Sequence, residues 1–207
     1  MKRKFTKAEE KTAQKIADAL GWLDKLVFPG NPVKKITLIQ GRPKNRRVYV
    51  SYVPPENTED GVEHYQIYGY GLDKYMKKDM EAIRVILLYD DGAEKISWEN
   101  LPKISEHELL IGYAAHEVRH RVQEHFKIEL FSPNPKDIDS CYIRRVKKFL
   151  KILFEEAPPE GDYKFEFDAE TIEYIVREMW HRGERDISKI VSIVKAGARD
   201  NIPFDKT

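Results

Sequence analysis

Two histidines and a glutamate in the stretch Ala114-Ala115-His116-Glu117-Val118-Arg119-His120 carry the chemistry that the rest of the chain has to position. Their spacing is H-E-x-x-H. Residues four apart on a helix lie on one face, one turn above the other, so His116 and His120 can bind a single metal ion. Glu117 projects beside them, where it can accept a proton from water activated by the metal. So short a string also arises by chance as a pair of surface histidines, and its context argues against that. Ser105 and Glu108 form a capping box just upstream. Leu109, Leu110, Tyr113 and Ala114 then recur at helical spacing. No proline or glycine interrupts Tyr113 to Leu130, so the motif falls in the middle of an amphipathic helix expected over residues 105–130.

A catalytic zinc takes three protein ligands and keeps a further position open for water. Beyond His116 and His120, three residues compete for the third place. A metzincin site continues the motif with a glycine and a third histidine. This chain has Gln123 and Phe126 at those positions, and His125, one residue short, reads as a surface side chain. Glu166, in Glu166-Phe167-Asp168-Ala169-Glu170, stands on the first turn of a later amphipathic helix. The small Ala169 would let that helix approach the motif helix closely. An acidic residue there is also favoured by the helix dipole alone. His181, near the end of the same helix, is the alternative ligand, and the dipole favours a histidine there too. Asp137 and Asp139 precede a helix and read as caps.

The whole chain narrows the function classes. Its 207 residues suit a single domain with a real core. Charged residues are abundant, but Lys+Arg 36 against Asp+Glu 35 leaves a net charge of +1 and no general pull toward nucleic acid or anionic membrane. The single cysteine, Cys141, excludes an internal disulfide and fits a reducing compartment, so a cytoplasmic location is expected. The charged start, MKRKFTKAEEKTAQ, does not read as a signal peptide, and no apolar run is long enough to span a membrane. Abundant Lys, Glu and Arg is a composition that thermophile proteins tend to share.

The remaining elements are those that must hold the motif helix. Thr6 and Glu9 make another capping box, and Ala13, Ile16, Ala17, Leu20, Leu23 and Val27 form one apolar stripe, predicting a helix over 7–28 closed by Pro29-Gly30. Strands are expected at 35–39, 47–53, 64–70 and 84–89, forming a small mixed four-stranded sheet. Residues 72–80 fit a short helix or a lid. The cluster Arg42, Lys44, Arg46 and Arg47 is the local basic patch; it reads as a solvated hairpin turn, with a nucleic-acid contact as the other possibility. The tyrosines of the third strand read as sheet surface or core rather than a ligand platform. After the motif helix, Ser132-Pro133-Asn134-Pro135 breaks the chain and a helix to about Glu156 follows. Another starts near Phe165, turning Ala169, Ile172, Ile175, Val176 and Met179 inward and ending at Gly183. A last one runs from Asp186 to Gly197 with Ile187, Ile190, Val191 and Val194 at helical spacing. The fold class is α+β, with a helix-plus-sheet half (1–104) and a helical half (105–207).

With H-E-x-x-H followed on a later helix by Glu166-Phe167-Asp168-Ala169-Glu170, the chain resembles the gluzincin metallopeptidases, whose second motif is E-x-x-A-[D/E]. It is most similar to the small soluble members, including regulatory proteases of the ImmA/IrrE type and related phage and microbial proteins. The resemblance covers two short motifs and the order of elements. It implies a single zincin-like domain, zinc held by His116, His120 and Glu166, and Glu117 as general base. It also implies strand addition of an extended substrate along the strand before the motif helix, at 84–89 here. Family members more often carry Asp or Asn where this chain has Glu170. Asp168 or Glu170 would orient a ligand histidine, and Tyr163, Tyr174 and His181 are the candidates for a donor to the developing oxyanion. The expected activity is intracellular, zinc-dependent endopeptidase cleavage of a protein or peptide substrate, restrained by a regulatory partner, substrate shape or occlusion. A non-catalytic metal-binding regulator of the same fold and a nucleic-acid module using Arg42–Arg47 are the alternatives.

Overall fold

The computed structural model describes residues 4–41, 49–78, 80, 104–126 and 163–198. These form helix α1 (Lys7–Val27), strands β1 (Ile36–Ile39), β2 (Val50–Val53) and β3 (His64–Tyr68), then α2 (Glu106–Phe126), α3 (Tyr163–His181) and α4 (Ile187–Val194). A helical segment over 72–78 follows β3, in the stretch read as a short helix or a lid. The fourth strand at 84–89, the helix before Glu156 and the Arg42–Arg47 turn lie outside the described residues. The class is α+β with a mixed sheet, three-stranded among the described residues. None of the helices is long and apolar enough to cross a membrane among those residues.

Local chemistry sets most element ends. The Thr6 hydroxyl accepts from the Glu9 N–H at 3.2 Å while Glu9 accepts from the Thr6 N–H at 2.8 Å. Ser105 and Glu108 repeat this reciprocal capping at the start of α2. Gly183, at φ 83°, closes α3: its N–H reaches Trp180 O, and the next N–H reaches back to Met179 O at 3.0 Å. Asp186 caps α4 through the N–H groups of Ser188 and Lys189.

β3 lies between the other strands. β1 pairs with it in parallel from Ile36↔Tyr65 to Ile39↔Tyr68, and β2 antiparallel from Val50↔Ile67 to Val53↔His64. Alternation along β3 sends Tyr65 and Ile67 into the core, where both are fully buried, and Tyr65 donates its hydroxyl to Asp24 of α1 at 2.8 Å. The core reading of that tyrosine holds. The Tyr65 N–H turns to Lys35 O, away from β2. Its partner Tyr52 therefore points its own N–H out of the sheet, toward α2.

α2 is not the one-faced helix its apolar spacing suggested. Every residue from Glu108 to Ala115 is buried, and so are Arg119, Arg121 and Gln123. The helix packs against α3, α1 and β2 at once, and Arg119 and Arg121 are paired inside rather than solvated. His125 is not a surface side chain either: it lies on the Phe28 ring and its Nε2 is 2.8 Å from Glu63.

Arg121, with no exposed side-chain surface, ties these elements together. It donates to both Asp24 oxygens at 2.7 and 2.9 Å, to Asn31 O at 2.7 Å and to Glu63, with its guanidinium over the Phe28 ring. Burial by itself would raise the pKa of Glu63, but hydrogen bonds from His125, Arg121 and Tyr52 outweigh it and bring it down to about 2. A depressed folded pKa stabilises the fold above the unfolded value near 4.5, and that stability is lost as pH falls through about 2. Urea midpoints followed from pH 5 to 2 are expected to fall more steeply for the natural chain than for Glu63→Gln. Identical slopes would assign the acid sensitivity to other groups.

Candidate metal centre

α2 and α3 pack face to face and bring three ligand-type side chains into one cluster. One atom each from His116, His120 and Glu166 lies within 4.8 Å of the others, and this is the group of metal-ligating geometry among the described residues. His116 Nε2 and His120 Nε2 stand 3.1 Å apart. The carboxylate of Glu166 straddles them, Oε1 at 3.2 Å from the first and Oε2 at 3.2 Å from the second. The histidines are largely covered and Glu166 is partly open, so the cluster sits at the surface end of the helix interface.

Each ring is held from behind. His116 Nδ1 lies 2.9 Å from Glu173 Oε2, and Glu173 is in turn ion-paired to Arg177 one turn further along α3. Arg177 reaches it by crossing α2 at Gly112. A Cβ at Gly112 would stand 2.1 Å from Arg177 Nε and 2.5 Å from its Cγ. His120 Nδ1 lies 2.9 Å from Gln123 Oε1. Gln123 Nε2 donates to Phe165 O at 2.9 Å and to Asp168 Oδ2 at 2.6 Å. Asp168 is gripped by the buried Arg119 at 2.7 and 3.3 Å, and Arg119 also donates to Val194 O and Ala196 O at the end of α4.

Glu117 is buried between His116 and β2, and its Oε2 accepts the outward Tyr52 N–H at 2.6 Å. Burial raises its pKa, against the pull of the two histidines. For His116, burial opposes the charged form, but Glu166 and Glu173 outweigh it and hold its pKa well above the usual range. The same contacts work in reverse on Glu166, whose pKa falls despite burial. A positive charge among these groups is thus strongly favoured.

The other residues singled out from the sequence fall elsewhere. Asp168 does not touch a ligand ring and acts on His120 only through Gln123. Glu170 faces the same interface, its Oε2 buried without a hydrogen-bond partner among the described residues. Burial and the neighbouring charge of Glu173 push its pKa up to about 7. His181 Nδ1 lies 3.3 Å from Glu108 in the first turn of α2, and Glu108 is eight residues, about 12 Å along the helix, from His116. His181 therefore stands apart from the cluster. The Tyr174 ring packs near the Arg177 guanidinium. Tyr163 opens α3, and its side chain lies outside the described residues. Glu173 and Gln123, which hold the rings, were not among the residues selected from the sequence. Glu173 had a usable signal, since it lies seven residues after Glu166 and shares its face of α3. Gln123 likewise follows His120 by one turn.

Comparison of the chain with protein-family models, with curated proteins and with solved structures gives no match in any of the three.

Proposed function

We propose that this chain is a zinc-dependent endopeptidase of zincin-like fold, acting on a protein or peptide substrate. One observation carries the reading. Glu173 is a carboxylate that only accepts, so His116 Nδ1 bears a proton, and Nε2 is left as the atom that takes either a second proton or a metal ion. The Gln123 oxygen does the same for His120. The two Nε2 atoms, 3.1 Å apart and bridged by the Glu166 carboxylate, call for a positive charge among them, which a second proton on His116 or a metal ion supplies. Two imidazoles and a carboxylate are a donor set suited to zinc. The buried acceptors behind both rings are the usual support for metal-ligating histidines.

His116, His120 and Glu166 would hold the metal. When bound, zinc supplies Lewis-acid polarisation of a carbonyl and makes water more acidic. Glu117 takes the proton from the attacking water and returns it to the leaving amine. The Tyr52 N–H occupies Oε2, leaving Oε1 for that proton. Burial raises the proton affinity of Glu117, which suits a group that must both gain and release one. The single cysteine supports a reducing, cytoplasmic setting. Uncontrolled cleavage there would be harmful, so a regulatory partner or an occluded site belongs to the proposal.

A second reading, a metal-binding regulator without catalysis, is favoured by the burial of Glu117, which is 6% exposed. Metal content decides what the two share. Elemental mass spectrometry on protein purified without chelators is expected to give about one zinc per chain, lost in His116→Ala and His120→Ala. Zinc at about 100 times its dissociation constant should add about 2.7 kcal/mol of stability that a chelator removes. No zinc retained after loading and dialysis would end both readings.

A further inference from the structure

The support of His120 is as fully determined as that of His116 although it comes from an amide, and its meaning rests on the metal-site reading above. An amide can be turned end for end, so a glutamine beside a histidine ordinarily leaves the ring's tautomer open. Gln123 has no such freedom. Its nitrogen faces two groups that can only accept, Phe165 O at 2.9 Å and the Asp168 carboxylate at 2.6 Å. Turned over, its oxygen would meet both of them inside a closed interface where Gln123 is 6% exposed. The amide oxygen must therefore face His120, and His120 Nδ1 must carry the proton.

The acceptor that dictates this orientation is itself fixed. Asp168 is 3% exposed, and Arg119, with no exposed side-chain surface, holds both of its oxygens. The remaining Arg119 nitrogen spends its protons on Val194 O at 2.9 Å and Ala196 O at 2.7 Å. The path runs from the end of α4 through Arg119, Asp168 and Gln123 to the ring that offers Nε2 to the metal. The geometry points to Gln123 as a positioning residue: it holds His120 in the metal-competent tautomer, in an orientation set by Asp168 and Arg119 and anchored on the last turn of α4.

Two substitutions separate positioning from mere packing. Gln123→Glu keeps an oxygen that accepts from His120 Nδ1, but it loses both donated bonds and sets a carboxylate against Asp168. Gln123→Met keeps the volume and removes the acceptor. A positioning role therefore predicts that stability and affinity rank oppositely. Gln123→Glu should have the lower thermal midpoint, while Gln123→Met should bind zinc about 10–100-fold more weakly than the natural chain, with Gln123→Glu within a few-fold of it. Affinities are read by competition with a chromophoric chelator. If affinity follows stability, so that Gln123→Glu binds worst, or if Gln123→Met binds as the natural chain does, Gln123 only fills space. A second measurement needs no variant. Nitrogen-15 NMR of the histidine rings in the zinc-loaded natural chain should show a protonated His120 Nδ1; zinc on Nδ1 would overturn the proposal even if the variants fail to fold. A natural chain that binds no zinc overturns the metal reading and this inference together, whereas zinc binding with indifferent Gln123 variants overturns this inference alone.

Discussion

Glu117→Gln should lower hydrolysis of a peptide substrate by about 10²–10⁴-fold, the range for loss of a positioned general base, while zinc content stays near one per chain. The substitution is chosen to separate chemistry from fold. The amide oxygen of glutamine can still accept the Tyr52 N–H that now bonds to Glu117 Oε2, so β2 keeps its anchor on α2. Neither candidate ligand ring depends on Glu117 for a hydrogen bond, since Glu173 and Gln123 hold them. What disappears is an oxygen that can take a proton. The assay is turnover of a panel of denatured proteins by the zinc-loaded chain, with any cleaved fragments identified by mass spectrometry. Undiminished turnover in Glu117→Gln would remove the base role. A natural chain that holds zinc and cleaves nothing in the panel would instead favour the regulator without catalysis.

The largest loss of stability should come from a residue beside the centre rather than in it. Arg121→Met should cost about 3–5 kcal/mol, because it leaves the fully buried Asp24 and the partly covered Glu63 without their cation. Asp24 has no exposed side-chain surface, and its other bonds, from Tyr65 and Val33, cannot neutralise it. An exposed pair serves as the control. Lys15 and Glu106 also join α1 to α2, but their side chains are 37% and 44% exposed, so Lys15→Ala should cost under about 1 kcal/mol. Urea unfolding of both variants at pH 7 tests the contrast, and equal small losses would mean that water reaches the Arg121 cluster. The loss should also be felt at the site. Tyr52 gives its hydroxyl to Glu63 and its N–H to Glu117, so the arginine cluster and the candidate base grip the same residue of β2.

What could be read from the sequence is what depends on neighbours a few residues away. The capping boxes at Thr6 and Ser105 and the glycine stop at Gly183 each need only one turn of chain, and all stand as expected. The pair His116 and His120 is local in the same sense. The inward face of α3, from Ala169 through Met179, follows from helical spacing alone. Contacts that join distant stretches left no such mark. Arg121 and Asp24 are 97 positions apart, and nothing in either neighbourhood announces the other. For the same reason α2 was read as one-faced: its arginines look like solvent-facing residues until their carboxylates, on other elements, are in place. The partners of the histidine rings fall between these cases, since Glu173 and Gln123 lie on legible helix faces but acquire meaning only when α2 and α3 meet.

The order in which these pieces lie along the chain has a consequence for synthesis. A ribosome completes the H-E-x-x-H helix well before Glu166 exists, and before Val194 and Ala196 are available to receive Arg119. Until then the motif has two of its three oxygen and nitrogen donors, an unanchored arginine and no fixed amide behind His120. The nascent chain thus lacks the three-residue cluster, and on the proposed reading metal uptake is a late event that reports the docking of the last helices. On the proposed reading, a growing polypeptide is in this way kept from hydrolysing itself or its neighbours while it is still being made.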